Sequence, residues 1–253
     1  MKLFFKTLGE GKPLLILHGL FGSGDNWQTL ARRYAEDFKV YLIDQRNHGH
    51  SPHDATHSYQ AMAEDLEALV EEEDLNDFHL LGHSMGGKTA MLFASENGYM
   101  IDKLIVADMA PKSYPVHHQQ ILKALTTADL ETLTSRSKVD AHLSQFIQEA
   151  GVKQFLLKNL YWKEKGKLAW RFNVPVLNDT IEKIVEETDQ QISLADTLFI
   201  RGGKSDYIQD EDIPFLNHYF PNNQLETIPD AGHWLHAEAP ETFFNVTRTY
   251  LLY

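Results

Sequence analysis

The sequence predicts an α/β fold built on a mainly parallel sheet, and three observations carry that expectation. Short apolar runs recur at residues 14–17, 40–43, 78–81 and 104–107, and strand-like text resumes at 197–200 and 225–228. Strands sandwiched between two layers of helices read this way. Stretches with helical spacing of apolar side chains lie between several of these runs, and such alternation marks a parallel sheet with helical crossovers. Finally, the strand pattern stops from about Pro111 to about Ala195 and then resumes, which suits an insertion into one sheet.

Taken in order, run 14–17 follows Gly11-Lys12-Pro13 and ends at His18-Gly19, and run 40–43 ends at Asp44. A helix follows, with Met62, Leu66, Leu69 and Val70 on one face and Ser58 as its N-cap. Its end, Glu71-Glu72-Glu73-Asp74, reads as a solvated surface whose negative charges oppose the local dipole, so fraying is expected there. Run 78–81 ends at Gly82 and leads into a helix over 88–97, and run 104–107 ends at Asp108. The middle segment shows only amphipathic helical patterns, through Ile121, Leu122 and Leu125, then Leu143, Phe146 and Ile147, then Val176, Leu177, Ile181, Ile184 and Val185. A last helix is expected over 240–252. The expected organisation is a core of 1–110 and 196–253 with a helical cap of 111–195.

Composition narrows the function. The 253 residues carry 23 Lys plus Arg against 36 Asp plus Glu, a net charge of −13, which argues against nucleic acid as a partner. The chain has no cysteine, so disulfides, thiol nucleophiles, iron–sulfur clusters and zinc–thiolate sites are excluded. No apolar run approaches the roughly 20 residues of a spanning helix, and the opening Met1-Lys2-Leu3-Phe4-Phe5-Lys6 is too short and too soon charged for a signal peptide. A soluble cytoplasmic protein, monomeric or homodimeric, without cofactor or metal, is expected. His48, His50, His53 and His57 do not place three ligands on one helix face, and no acidic ligand motif accompanies them. His117-His118 reads as a solvated pair.

Three loops carry chemistry. Gly82-His83-Ser84-Met85-Gly86 follows a buried run and precedes a helix, the setting in which Gly-x-Ser-x-Gly raises a nucleophilic serine on a strained turn. Acyl transfer also needs two N–H donors for the developing oxyanion. Met85 is expected to give one and the loop after His18-Gly19 the other, from Leu20 in preference to Phe21. Phe21 is the candidate pocket wall; Tyr161, Trp162, Trp170 and Phe172 suit packing of the cap better. In Asp230-Ala231-Gly232-His233-Trp234, His233 is the one histidine that is both late in the chain and in a loop after a strand, where a general base belongs.

Together with Asp44-Gln45-Arg46-Asn47-His48-Gly49-His50-Ser51, these loops resemble the α/β-hydrolase superfamily over nearly the whole chain. Ala169-Trp170-Arg171-Phe172-Asn173, Arg201-Gly202-Gly203-Lys204-Ser205 and Gly232-His233-Trp234-Leu235-His236 resemble the small bacterial YbfF-type esterases and their mitochondrial relatives. The resemblance implies cofactor-free hydrolysis of carboxylic esters or acyl thioesters under a helical cap. It also frames the question of the acid. The superfamily's usual Gly-x-x-Asp register puts Ser205 at the acid position, with Asp206 one residue later. The YbfF-type pattern instead takes the acid from the end of the strand after the elbow, which here is Asp108, with Ser205 as a supporting partner of His233. Asp206 remains the alternative. Arg46, Arg171 and Arg201 could locally offset the acidic surface for an anionic substrate. Perhydrolysis, carbon–carbon bond hydrolysis and a silent ligand-binding scaffold are the competing functions.

Overall fold

A computed structural model describes residues 1–116 and 118–253. Its main sheet has seven strands: β1 (Phe4–Leu8), β2 (Lys12–Leu17), β3 (Phe38–Asp44), β4 (Phe78–His83), β5 (Ile101–Ala107), β8 (Asp196–Gly202) and β9 (Asn223–Ile228). The spatial order is β1-β3-β2-β4-β5-β8-β9. Only β1 runs antiparallel to its neighbour.

Alternation along the buried strands splits the core in two. Leu15, Leu17, Tyr41, Ile43, Leu80, Leu104, Val106 and Phe199 face one layer, which includes α2 (Tyr59–Glu72) and α3 (Met85–Asn97). Leu14, Ile16, Val40, Leu42, Leu81, Ile105, Leu198 and Ile200 face the other, with α1 (Gln28–Tyr34) and α10 (Pro240–Leu252). This period of two in otherwise all-apolar runs is the signature of a doubly covered sheet. Short helices α8 (Ile213–Tyr219) and α9 (Leu235–Glu238) complete the core. Among the described residues no helix is long and apolar enough to cross a membrane.

Local signals act where they are expected. The Ser58 hydroxyl accepts the Ala61 N–H at 3.3 Å and caps α2. At the other end Asp74 adopts φ +53 and the Leu75 N–H reaches the Val70 carbonyl at 3.0 Å. The helix thus closes inside the acidic run by a Schellman-type turn. α10 coincides with the expected helix, and α3 begins three residues before residue 88, at Met85.

Between β5 and β8 lie α4 (Gln119–Thr126), α5 (Arg136–Leu143), α6 (Ala150–Leu157) and α7 (Val174–Val185). This inserted segment is not purely helical, contrary to expectation. A hairpin of β6 (Leu160–Glu164) and β7 (Lys167–Trp170) turns at Gly166, whose φ is +83. Most of its side chains are exposed or half-buried, so it lacks the apolar run that betrays a core strand. The half-exposed edge strand β1 gives no apolar run for the same reason.

Candidate active site

Ser84 stands between β4 and α3 with φ +54 and ψ −119, a conformation disfavoured for a residue with a side chain. Its N–H donates to Ala107 O at 3.2 Å and its carbonyl accepts from Lys88 N–H at 3.1 Å, which fixes the turn. The flanking glycines are required by close backbone approach. A Cβ on Gly86 would lie 2.5 Å from Leu17 O, and one on Gly82 2.2 Å from Gly86 O. Gly86→Ala is therefore expected to destabilise the fold by about 1–3 kcal/mol through overpacking, read as a lowered Tm; an unchanged Tm would contradict this packing.

His233, in the loop after β9, brings Nε2 to 3.0 Å from Ser84 Oγ and Nδ1 to 2.8 Å from Asp108 Oδ2. Asp108 leaves the end of β5 with φ +49 and is fully buried. Its Oδ1 accepts the Gly202 N–H at 3.0 Å, and its Oδ2 also accepts the Ser205 hydroxyl. Sequence reasoning paired Ser205 with His233; the structure corrects this, because Ser205 donates to the carboxylate instead. Asp206, the alternative acid, is exposed and forms no hydrogen bond with His233. Consecutive side chains leaving β8 diverge, so placing Ser205 against Asp108 turns Asp206 to solvent.

Other residues frame the imidazole without having been singled out by sequence. The Tyr207 ring stacks on His233 with centroids 3.8 Å apart and planes inclined by 15°. Burial, followed by the nearby Asp108 charge, pushes the Tyr207 phenol up to about 12, so it stays protonated. The His83 Nε2–H donates to the His233 carbonyl at 2.8 Å, and burial holds His83 well below the usual histidine range, in the neutral form. His236 stacks on Trp27 behind it, 4.2 Å between centroids.

On the opposite side of Ser84, the loop after β2 forms a tight turn in which Gly22 N–H meets Gly19 O at 2.9 Å. Phe21, the third residue of that turn, has φ +60, as a type II turn demands. The Phe21 N–H is already committed to His48 Nε2 at 3.1 Å. That leaves Leu20 as the candidate donor from this loop, beside Met85, whose N–H opens α3 and has no acceptor within its own helix.

Two spaces meet at Ser84. The larger holds about 540 Å³ of empty volume, part of it open to solvent, and is lined by Phe21, His233, Trp234 and, from the inserted segment, Val152, Phe155 and Leu156. The smaller, about 330 Å³, is lined by Tyr59, Met85, Met109, Tyr114, Ile184 and Tyr207 among others. Its residues come from six different elements and loops, so no local pattern could have revealed it. Of the aromatic residues in the inserted segment, Trp162 is 51% exposed and Trp170 stacks on Phe172, which in turn packs edge-on against Phe21. Tyr161 lies under the Arg171 guanidinium.

The three arginines considered for an anionic substrate are engaged elsewhere: Arg46 pairs with buried Asp65, Arg201 with Asp210, and Arg171 covers Tyr161. His48 and His57 are buried while His50 and His53 lie on the outside of their loop. No group of His, Asp or Glu among the described residues is arranged to hold a metal ion. His117 lies outside the described residues.

Comparison with known proteins bears on this arrangement. Residues 12–125 match the model of the alpha/beta hydrolase fold. The chain is 38% identical over 243 residues to esterase YbfF of Escherichia coli, covering 96% of this chain and 94% of that one. It is 36% identical over 247 residues to the mouse sn-1-specific diacylglycerol lipase ABHD11, covering 94% and 80% respectively. A solved esterase from a marine microorganism superposes with a TM-score of 0.96 at 43% identity, across 98% of both chains. The chain therefore belongs to the α/β-hydrolase family, within the group that contains the YbfF esterase and its animal relatives.

Proposed function

We propose that this protein hydrolyses carboxylic esters, or the corresponding thioesters, through Ser84, His233 and Asp108. The observation that carries the reading is the unbroken hydrogen-bond chain from Ser84 Oγ through both nitrogens of His233 to the buried Asp108 carboxylate. The similar proteins named esterase and diacylglycerol lipase support the same class of bond.

In this mechanism His233 Nε2 takes the Ser84 proton as Oγ attacks the acyl carbon. Negative charge collects on the carbonyl oxygen, where the Leu20 and Met85 N–H groups stabilise it. The carbon–oxygen or carbon–sulfur bond then breaks, and the leaving group takes its proton from His233 Nε2. It must therefore depart on the histidine side, into the larger space lined by His233 and Trp234. The acyl group occupies the smaller space beside Met85, Met109 and Tyr207. Water deprotonated by His233 attacks the acyl-enzyme, releasing the acid and restoring Ser84. Asp108 keeps the proton on Nδ1 and balances the imidazolium charge. Residues 111–195 act as a cap, because their Val152, Phe155 and Leu156 close the space into which the leaving group departs.

The test is hydrolysis of p-nitrophenyl esters from short to long acyl chains, wild type beside Ser84→Ala. Loss of about five to six orders of magnitude in kcat is expected in the variant, and the wild-type profile is expected to favour short acyl chains that fit the smaller space. Comparable turnover in both proteins would refute the serine mechanism.

A further inference from the structure

We infer that Asn159, from the inserted segment, is a positioning residue that holds the Leu20–Phe21 turn in the form able to stabilise the oxyanion, an inference that rests on the esterase reading. The turn needs holding. Phe21 sits at φ +60, where glycine or asparagine is the favoured occupant and a phenylalanine is strained. Without restraint, the peptide units on either side of Phe21 are free to rotate toward an unstrained turn. The Leu20 N–H would then lose its direction relative to Met85 N–H and Ser84.

Both polar groups of Phe21 are clamped. Its N–H donates to His48 Nε2 at 3.1 Å, and the other ring nitrogen of His48 donates to Arg46 O at 3.0 Å. This half of the clamp belongs to the core. The second half comes from outside it: Asn159 Nδ2 donates to Phe21 O at 2.9 Å across 138 residues of chain. Asn159 is almost fully buried, and its own backbone is fixed, with N–H to Leu156 O at 3.0 Å and carbonyl to Arg171 N–H at 2.9 Å. Its second amide contact, to Phe155 O at 3.3 Å, ties the same side chain to a residue that lines the larger space. Docking of the inserted segment and geometry of the oxyanion turn are thereby joined through one amide group.

Removing the donor should leave substrate binding largely in place and impair the transition state. Asn159→Leu is expected to lower kcat on a p-nitrophenyl ester by at least about tenfold, since loss of one oxyanion donor costs roughly 100- to 1,000-fold, with KM changed less than about twofold. Hydrogen–deuterium exchange over residues 18–23 should accelerate in the same variant. Asn173→Ala is the control. It deletes another bond between inserted segment and core, Nδ2 to Asn47 Oδ1 at 3.0 Å, whose acceptor keeps the Asp54 N–H. It should change neither readout. Unaltered exchange at 18–23 in Asn159→Leu, faster exchange with kcat preserved, or equal damage from Asn173→Ala would each overturn the inference. If Asn159→Leu does not fold, Asn159→Asp replaces the donor by an acceptor in the same shape and is read identically. Failure of the esterase reading shows separately, as a wild type without ester turnover whose exchange at 18–23 still responds to Asn159; the oxyanion role then falls with it.

Discussion

Asp108→Asn is expected to lower kcat by about four orders of magnitude with little loss of folding stability. The size of the effect follows from which atoms surround the carboxylate. Oδ1 faces the Gly202 N–H, while Oδ2 faces His233 Nδ1 and the Ser205 hydroxyl. An asparagine can satisfy Gly202 only by keeping its oxygen there, which turns its NH2 toward His233. The imidazole then accepts at Nδ1 and carries its proton on Nε2, aimed at Ser84 Oγ, and can no longer take the serine proton. Flipping the amide restores an acceptor to His233 but sets NH2 against the Gly202 N–H inside a fully buried site, an arrangement that costs a hydrogen bond. The first orientation removes the base; the second keeps it, at the cost of the Gly202 hydrogen bond and of the negative charge that balances the imidazolium. Asp206→Asn, by contrast, alters an exposed carboxylate and should leave kcat within about twofold. Steady-state kinetics of the two variants side by side decide the acid; a large loss in Asp206→Asn with Asp108→Asn unaffected would reverse the assignment.

That comparison also shows what was legible in the chain. The buried strands announce themselves because both faces are covered, so runs such as 14–17 and 104–107 are apolar throughout. Ser84 is marked by glycines whose need is local: close backbone approach at Gly82 and Gly86. The acid is different in kind. Its identity depends on the register at which β5 and β8 end side by side, with Ala107 paired to Ile200, and no local pattern encodes that alignment. The sequence therefore leaves Asp108 and Asp206 both open. Ser205 illustrates the same limit, since the sequence pairs it with His233 whereas its hydroxyl donates to Asp108. Lys88, which the sequence marks only as the start of a helix, is fully buried. Its ammonium donates to the Val185 and Glu186 carbonyls at the end of α7, fastening the inserted segment to the core. The hairpin β6–β7 was invisible because an exposed ribbon needs no apolar run.

Acidification should unfold this protein well before its carboxylates are fully protonated. Six histidines, His18, His48, His57, His79, His83 and His236, are buried, and burial lowers each of them from the ordinary value. His57 and His79 fall to about 4 and His236 to about 3. Hydrogen bonding reinforces the neutral form where it can be read: His18 Nε2 accepts the Gln45 N–H at 3.0 Å, and His48 Nε2 accepts the Phe21 N–H at 3.1 Å. A proton on either nitrogen would set donor against donor. In the unfolded chain all six titrate near 6.5, so between that value and about 4 the unfolded state binds more protons than the folded one. Stability then falls as pH falls through this window, by about 1.4 kcal/mol per pH unit for each of His57, His79 and His236. For His57, His79 and His236 together the loss at pH 5 is about 6 kcal/mol, a large fraction of the stability of an ordinary domain, and His18, His48 and His83 act in the same direction. Thermal melts at pH 7.5, 6.0 and 5.0 should therefore show Tm dropping steeply below pH 6, and a Tm constant across that range would contradict the neutral burial of these side chains. His236→Phe isolates one proton. It keeps a ring against Trp27, where His236 Nδ1 has no hydrogen-bond partner to lose, and should flatten the pH dependence by about 1.4 kcal/mol per unit.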